Sequence, residues 1–216
     1  MKWLRILVIL INIWQQSKGQ QLTTLQGPWR MLFKVHRYDG MSSYTSAASF
    51  LTDATGSVSD SVSVKRDLYS TGTRFRSSML EDWGTISAVR MSMWENDVEK
   101  AYFVFSAAGK TKSTWMDCGN LLYSSYTDIF TETITTCQIS SSGRNFFIQR
   151  GYGDCKSHNG WMVVKDTDAV GTAECDWDRN YGYVTLLYAP GTTYTTWDSS
   201  THFADAFTIS VMDWYM

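Results

Sequence analysis

The chain has 216 residues, with 19 basic and 21 acidic side chains for a formal charge of −2, and is 44% hydrophobic and 15% aromatic. That size can bury a substantial core, and near-neutral charge with no concentrated basic face excludes a protein that grips nucleic-acid phosphates. It holds 25 serines and 24 threonines but two prolines, which excludes a mucin-like stalk or a disordered tract, because the hydroxyls alternate with aromatic and β-branched residues.

Residues 1–19 read as a signal peptide. Lys2 and Arg5 give a positive start, 4–14 is apolar apart from Arg5 and Asn12, and Ser17-Lys18-Gly19 offers small residues for cleavage. The run falls short of the roughly 20 apolar residues of a membrane span. The expected product is one domain over 20–216, secreted and extracellular, with neither a membrane nor a nucleic acid as partner. Loss of Lys2, Arg5 and Lys18 leaves it 16 basic against 21 acidic residues.

From there, alternation with a period of two recurs, the pattern of strands with one buried face. A first strand is predicted over 29–35, where Trp29, Met31, Phe33 and Val35 alternate with Arg30, Lys34 and His36. Residues 46–51 suit a helical turn, and strands follow over 61–64 and 73–79. Val89, Met91 and Met93 alternate with Arg90 and Ser92, and 101–107 is the next strand. Residues 121–125 suit a second helical turn. Strands are then expected over 133–139, 145–149, 161–165, 183–188 and 192–197. In the last strand, Phe207, Ile209 and Val211 alternate with Thr208 and Ser210. Turn signals such as Asp39-Gly40, Glu95-Asn96-Asp97, His158-Asn159-Gly160 and Pro190-Gly191 separate them. Many strands and little helix predict an all-β, antiparallel two-sheet sandwich of jelly-roll-like topology, with Ser and Thr on its wet faces.

Four cysteines allow three pairings. The sequential ones, Cys118 with Cys137 and Cys155 with Cys175, are favoured because each closes a loop of about 20 residues. Zinc is disfavoured, since the spacing is not C-x-x-C and no histidine sits in a ligand motif.

The densest chemistry lies between Arg150 and Trp177, in R-G-Y-G-D-C, H-N-G-W-M-V-V-K and E-C-D-W. Asp166, Asp168, Glu174, Asp176 and Asp178 could supply oxygen ligands to calcium, but their spacing is not that of an EF-hand, and a charged surface loop is the favoured reading. No other cofactor is implied. Tyr152, Tyr183 and Tyr194 crowd the same stretch as Trp161, Trp177, Tyr181 and Trp197, and the last four are candidates for stacking on sugar rings, against the commoner role of core packing. No catalytic motif is present: the chain lacks G-x-S-x-G, H-E-x-x-H and a P-loop, and its three histidines, His36, His158 and His202, sit in no ligand or triad pattern. Paired carboxylates such as Glu81-Asp82 leave a glycosidase-like hydrolase as a third reading, behind a structural protein and a lectin-like module.

W-R-M-L-F-K-V, E-D-W-G-T-I-S-A-V-R-M-S-M-W, E-K-A-Y-F-V-F-S, L-L-Y-S-S-Y-T-D, N-F-F-I-Q-R-G-Y-G-D-C with H-N-G-W-M-V-V, and A-D-A-F-T-I-S-V together resemble a secreted β-rich domain of marine invertebrates, molluscs and cnidarians among them. The resemblance covers nearly all of 20–216. It implies an extracellular single-domain β protein and no particular reaction, with Cys155 and Cys175 matching its recurring cysteines and Cys118 and Cys137 an additional pair. A weaker likeness to fibrinogen-related lectins, through W-x-x-L-F-K and Y-G-D-C, lacks that family's calcium loop and pocket residues. The expected function is a non-enzymatic structural protein of an extracellular matrix, self-associating or bound to matrix, mineral or glycan, as in the organic matrix of a mineralised skeleton. A lectin-like module is the alternative.

Overall fold

The computed structural model describes residues 29–37, 50–51, 75–141, 144–165, 175–178, 184–200 and 202–213. Its strands, in chain order, are β1 (Arg30–His36), β2 (Phe75–Arg76), β3 (Ile86–Glu95), β4 (Val98–Ser106), β5 (Leu121–Ser124), β6 (Thr136–Ser141), β7 (Arg144–Gly151), β8 (Asn159–Lys165), β9 (Thr185–Tyr188), β10 (Thr195–Thr196), β11 (His202–Phe203) and β12 (Ala206–Asp213). They form two sheets. Sheet A runs β2-β1-β12-β3-β4-β5, and sheet B runs β11-β9-β8-β7-β6 with β10 also on β8. Every pairing is antiparallel, so the all-β two-sheet expectation holds. The chain completes β1 to β5 in sheet A, crosses to sheet B for β6 to β11, and returns with β12 between β1 and β3.

Alternation explains why the sheets pack face to face. Phe33 and Val35 of β1, Met91 and Met93 of β3, Phe103 and Phe105 of β4, and Phe207 and Ile209 of β12 share one buried cluster with Ile139, Ile148, Val164 and Leu186 of sheet B. Phe146 bridges the layers, its ring centroid 6.1 Å from Phe33, 5.4 Å from Phe50 and 5.0 Å from Phe207. Its backbone sits at φ 45° where β7 shifts register against β8. An L-residue is strained there, and dense packing of its ring holds it.

Three expectations change. Residues 121–124 form a strand instead of a helical turn, because Leu121, Tyr123 and Ser124 pair with Phe105, Val104 and Phe103 of β4. Of the strand expected over 73–79, Phe75 and Arg76 form β2 and 73–74 lie outside the described residues, while a 3₁₀ turn over Ser78–Glu81 replaces its end, capped by the Ser77 side chain on the Met79 N–H. Several hydroxyls expected to be wet are buried. Ser92, Thr208 and Ser210 lie on the face of sheet A away from the shared core, yet all three are buried, with Thr208 Oγ1 accepting the Trp94 indole N–H at 2.9 Å and Ser92 Oγ donating to Glu99 at 2.5 Å. That face carries Trp29, Tyr102 and Tyr123 around Ala88, Val104 and Met212, and bulky rings shield short polar neighbours. The strand expected over 61–64 lies outside the described residues, as does most of 46–51, of which Phe50 and Leu51 are helical.

Both favoured disulfides form, Cys118 with Cys137 and Cys155 with Cys175. The first joins the turn before β5 to β6, the end strands of the two sheets, and so closes the sandwich on that side. Such bonds belong to an oxidising compartment. Among the described residues no helix is long and apolar enough to cross a membrane.

Candidate functional site

The outward face of sheet B carries a second apolar cluster. Phe147, Val163 and Leu187 project from β7, β8 and β9, away from the shared core, and Cys175, Trp177 and Trp197 cover them, with Cys155 packed alongside. The Cys155–Cys175 bridge ties the loop after β7 to the 3₁₀ turn Asp176–Asp178 that lays Trp177 on the sheet. The residue pattern around it follows from close approach. A Cβ on Gly153 would stand 2.0 Å from Ser157 Oγ, and one on Gly160 would stand 2.7 Å from the Ile148 carbonyl and 3.1 Å from the Trp197 ring. Asp154 Oδ1 accepts from the Ser157 hydroxyl at 2.7 Å and from its N–H at 3.0 Å. The Ser157 hydroxyl bond, above all, holds that carboxyl below the usual carboxylate range.

Aromatic and cationic groups run from this cluster to solvent. Trp177 lies 6.0 Å from Trp197 and 5.6 Å from His158, whose ring is 4.4 Å from Tyr152. The Arg144 guanidinium sits 4.8 Å from the Trp177 ring and 5.5 Å from that of Tyr152, within the range of cation–π attraction. Tyr152 is 71% exposed while Trp177 is 7% exposed. Between Arg144, Gln149, Trp177 and Trp197 runs a shallow crease, too tight for a ligand to sink into. The arrangement presents one exposed phenol ring with a cation over it.

Of the sugar-stacking candidates, the three tryptophans take the commoner role of packing. Trp161, Trp177 and Trp197 are all buried, so none offers the open ring face that stacking needs. Trp161 belongs to the shared core and donates its indole N–H to Asp128 Oδ1 at 2.9 Å. Over β7, β8 and β9 sheet B is covered on both faces, which strand alternation alone does not announce. Tyr181 lies outside the described residues, as do Asp166, Asp168 and Glu174. Asp176 is exposed on the 3₁₀ turn, and the Asp178 backbone belongs to that turn. Among the described residues no three His, Cys, Asp or Glu side chains gather as a metal would require.

Two residues gain roles that sequence reasoning did not assign. Arg144 joins the aromatic run, although its place after Ser142 and Gly143 in the sequence carries no such signal. Asp128 accepts from both the Trp161 indole and, through Oδ2, the Tyr194 backbone N–H at 2.8 Å, fastening the crossing from β5 to β6 onto sheet B. Its signal was the L-L-Y-S-S-Y-T-D run that ends on it.

Comparison with protein-family models, with curated proteins and with solved structures finds no match for this chain.

Proposed function

We propose that the protein is a secreted, non-enzymatic structural component of an extracellular matrix that associates with its own copies and with matrix material. The observation that carries this reading is the use to which the charged groups are put. Glu81 is held between Arg76 and Lys112, both at 2.5 Å. Arg90 grips Glu99 through two bonds at 3.1 and 2.6 Å, Arg150 pairs with Glu132 at 2.6 Å, and Arg30 pairs with Asp213. Asp128 and Asp154 fasten turns. Carboxylates spent on ion pairs and turn caps, with two disulfides, favour a rigid scaffold whose work is done by its surface.

Secretion is supported by the disulfides and by the leader-like composition of 1–19. The test incubates the purified oxidised protein with chitin and with calcium carbonate particles under secretory conditions. Retention on either sustains the reading, and complete recovery in the supernatant from both ends it.

A glycan-binding role is the second reading, favoured by the exposed Tyr152 ring with Arg144 beside it. A glycan array, probed with and without chelator, should then show signal that Tyr152→Ala abolishes, and a flat array removes it. Signal lost with chelator would bring Asp176 and its acidic neighbours in as calcium ligands.

A further inference from the structure

Sheet edges expose unpaired backbone N–H and C=O groups, and proteins blunt them by shortness, charge, proline or bulges. Three of the four strands that end the sheet paths follow that rule. Among the described residues β2 and β11 span two residues each, and β5 is four residues long with a register shift against β4. β6 breaks it. It is six residues long and holds a constant register against β7 from Thr136↔Gln149 to Ser141↔Arg144. From 133 to 143 the chain has no charged residue and no proline. Among the described residues β7 is its only strand partner.

The side chains of β6 are self-complementary. Cys137 and Ile139 turn into the shared core, while Gln138 and Ser140 are exposed on the opposite face and Thr136 is half-buried. Residues paired across antiparallel strands must share a face. A two-fold axis between two residues would set each outward side chain against a core-facing one and fails. An axis through Gln138 sets Gln138 against its own copy, Thr136 against Ser140, and Cys137 against Ile139. Amide meets amide, hydroxyl meets hydroxyl, apolar meets apolar, and no like charges face each other.

We propose that β6 is a homodimerisation edge, pairing antiparallel with β6 of a second copy about a two-fold axis through Gln138, so that two copies of sheet B become one continuous sheet. This rests on the matrix reading and names the partner in its self-association. The interface is isologous and closed, so it yields a dimer instead of a filament. The strand contributes little area, so association is weak and depends on concentration.

Sedimentation velocity of the oxidised protein from about 1 µM to about 1 mM is the test, a range set by weak association. The native protein should shift from monomer to dimer. Gln138→Lys places two cations at the axis and should abolish the dimer, as should Gln138→Glu, while an equimolar mixture of the two should restore it, because only at the axis does residue 138 face itself. Gln138 is exposed, so both variants should keep the native circular dichroism spectrum and melting temperature. A native protein monomeric at 1 mM, a Gln138→Lys protein that still dimerises, a mixture that stays monomeric, or a larger oligomer would each overturn the proposal. A monomer retained on chitin or mineral overturns the edge pairing and leaves the matrix reading standing. A dimer recovered wholly from the supernatant does the reverse.

Discussion

The two ends of sheet B handle the same problem in opposite ways. β11 is two residues long, and the Arg37 guanidinium lies 4.5 Å from the Phe203 ring, placing a cation at that end. β6 is three times as long and uncharged, and its protection against its own chain is covalent: Cys137 is bonded to Cys118 beside β5. Shortness and charge discourage any partner at β11. A regular, neutral, hydroxylated edge pinned in place by a disulfide invites one at β6.

The sharpest way to break the contrast is to remove what both ends depend on. Phe146→Ala empties the contact between the sheets and should cost about 3 to 5 kcal/mol, measured by urea unfolding, with both ends melting in one transition. A loss below about 1 kcal/mol would mean that the ring does not carry the core. Replacing Cys118 and Cys137 by alanine should cost about 2 to 4 kcal/mol, and the loss should be lopsided: amide exchange should accelerate in β6 and leave β11 unchanged. Equal acceleration at both would erase the distinction.

Tyr126 probes the crossing that delivers the chain to β6. Its buried hydroxyl donates to the Ala189 carbonyl at 2.8 Å. Tyr126→Phe should cost about 1 kcal/mol, read from the denaturation midpoint. Burial raises the Tyr126 pKa above the ordinary phenol value of about 10. The stability tied to its protonated form is therefore whole below about pH 10 and is lost as pH climbs above it. The alkaline loss should shrink in Tyr126→Phe, and an unchanged slope would assign it to Tyr188, which desolvation also raises.

The smallest effect belongs to the charge-guarded edge of sheet A. Lys112 and then Arg76, whose backbone is in β2, hold the Glu81 carboxyl below its usual range. Its contribution is present above the unfolded carboxylate value of about 4.3 and is lost as pH falls through the folded one. With Glu81 largely exposed, solvent screening keeps this below about 1 kcal/mol. Glu81→Gln should flatten the acid limb slightly between about pH 4.5 and 3, and an unaltered limb would strip the pair of any role.

Much of the fold was legible: β1, β3 and β12 carry a period of two through Phe33, Met91 and Phe207, and β4, β7 and β8 fall on short apolar runs that hold Phe103, Ile148 and Val164. The L-L-Y-S run of β5 read as a helical turn because three apolar residues and a serine suit either a helical turn or a strand, and the choice is made by Phe105 and Val104 across the sheet. β11 left no trace, since two residues make no period. Cysteine spacing read correctly, and core packing was the commoner role for the tryptophans; hidden was which face they cover, because a sandwich face covered by a loop looks, in sequence, like a face left open, and Trp177 packs with Phe147 and Val163 beside a bridge that spans 20 residues of sequence.

Backbone amide exchange, followed at about 5 µM and about 500 µM on either side of the weak association range, tests the contrast between the edges most directly. Pairing through β6 predicts that amides within 136–141 whose N–H groups point away from β7 gain protection at the higher concentration, while His202 and Phe203 exchange at the same rate in both. Identical exchange of β6 at the two concentrations, or protection that rises at β11 instead, would contradict it.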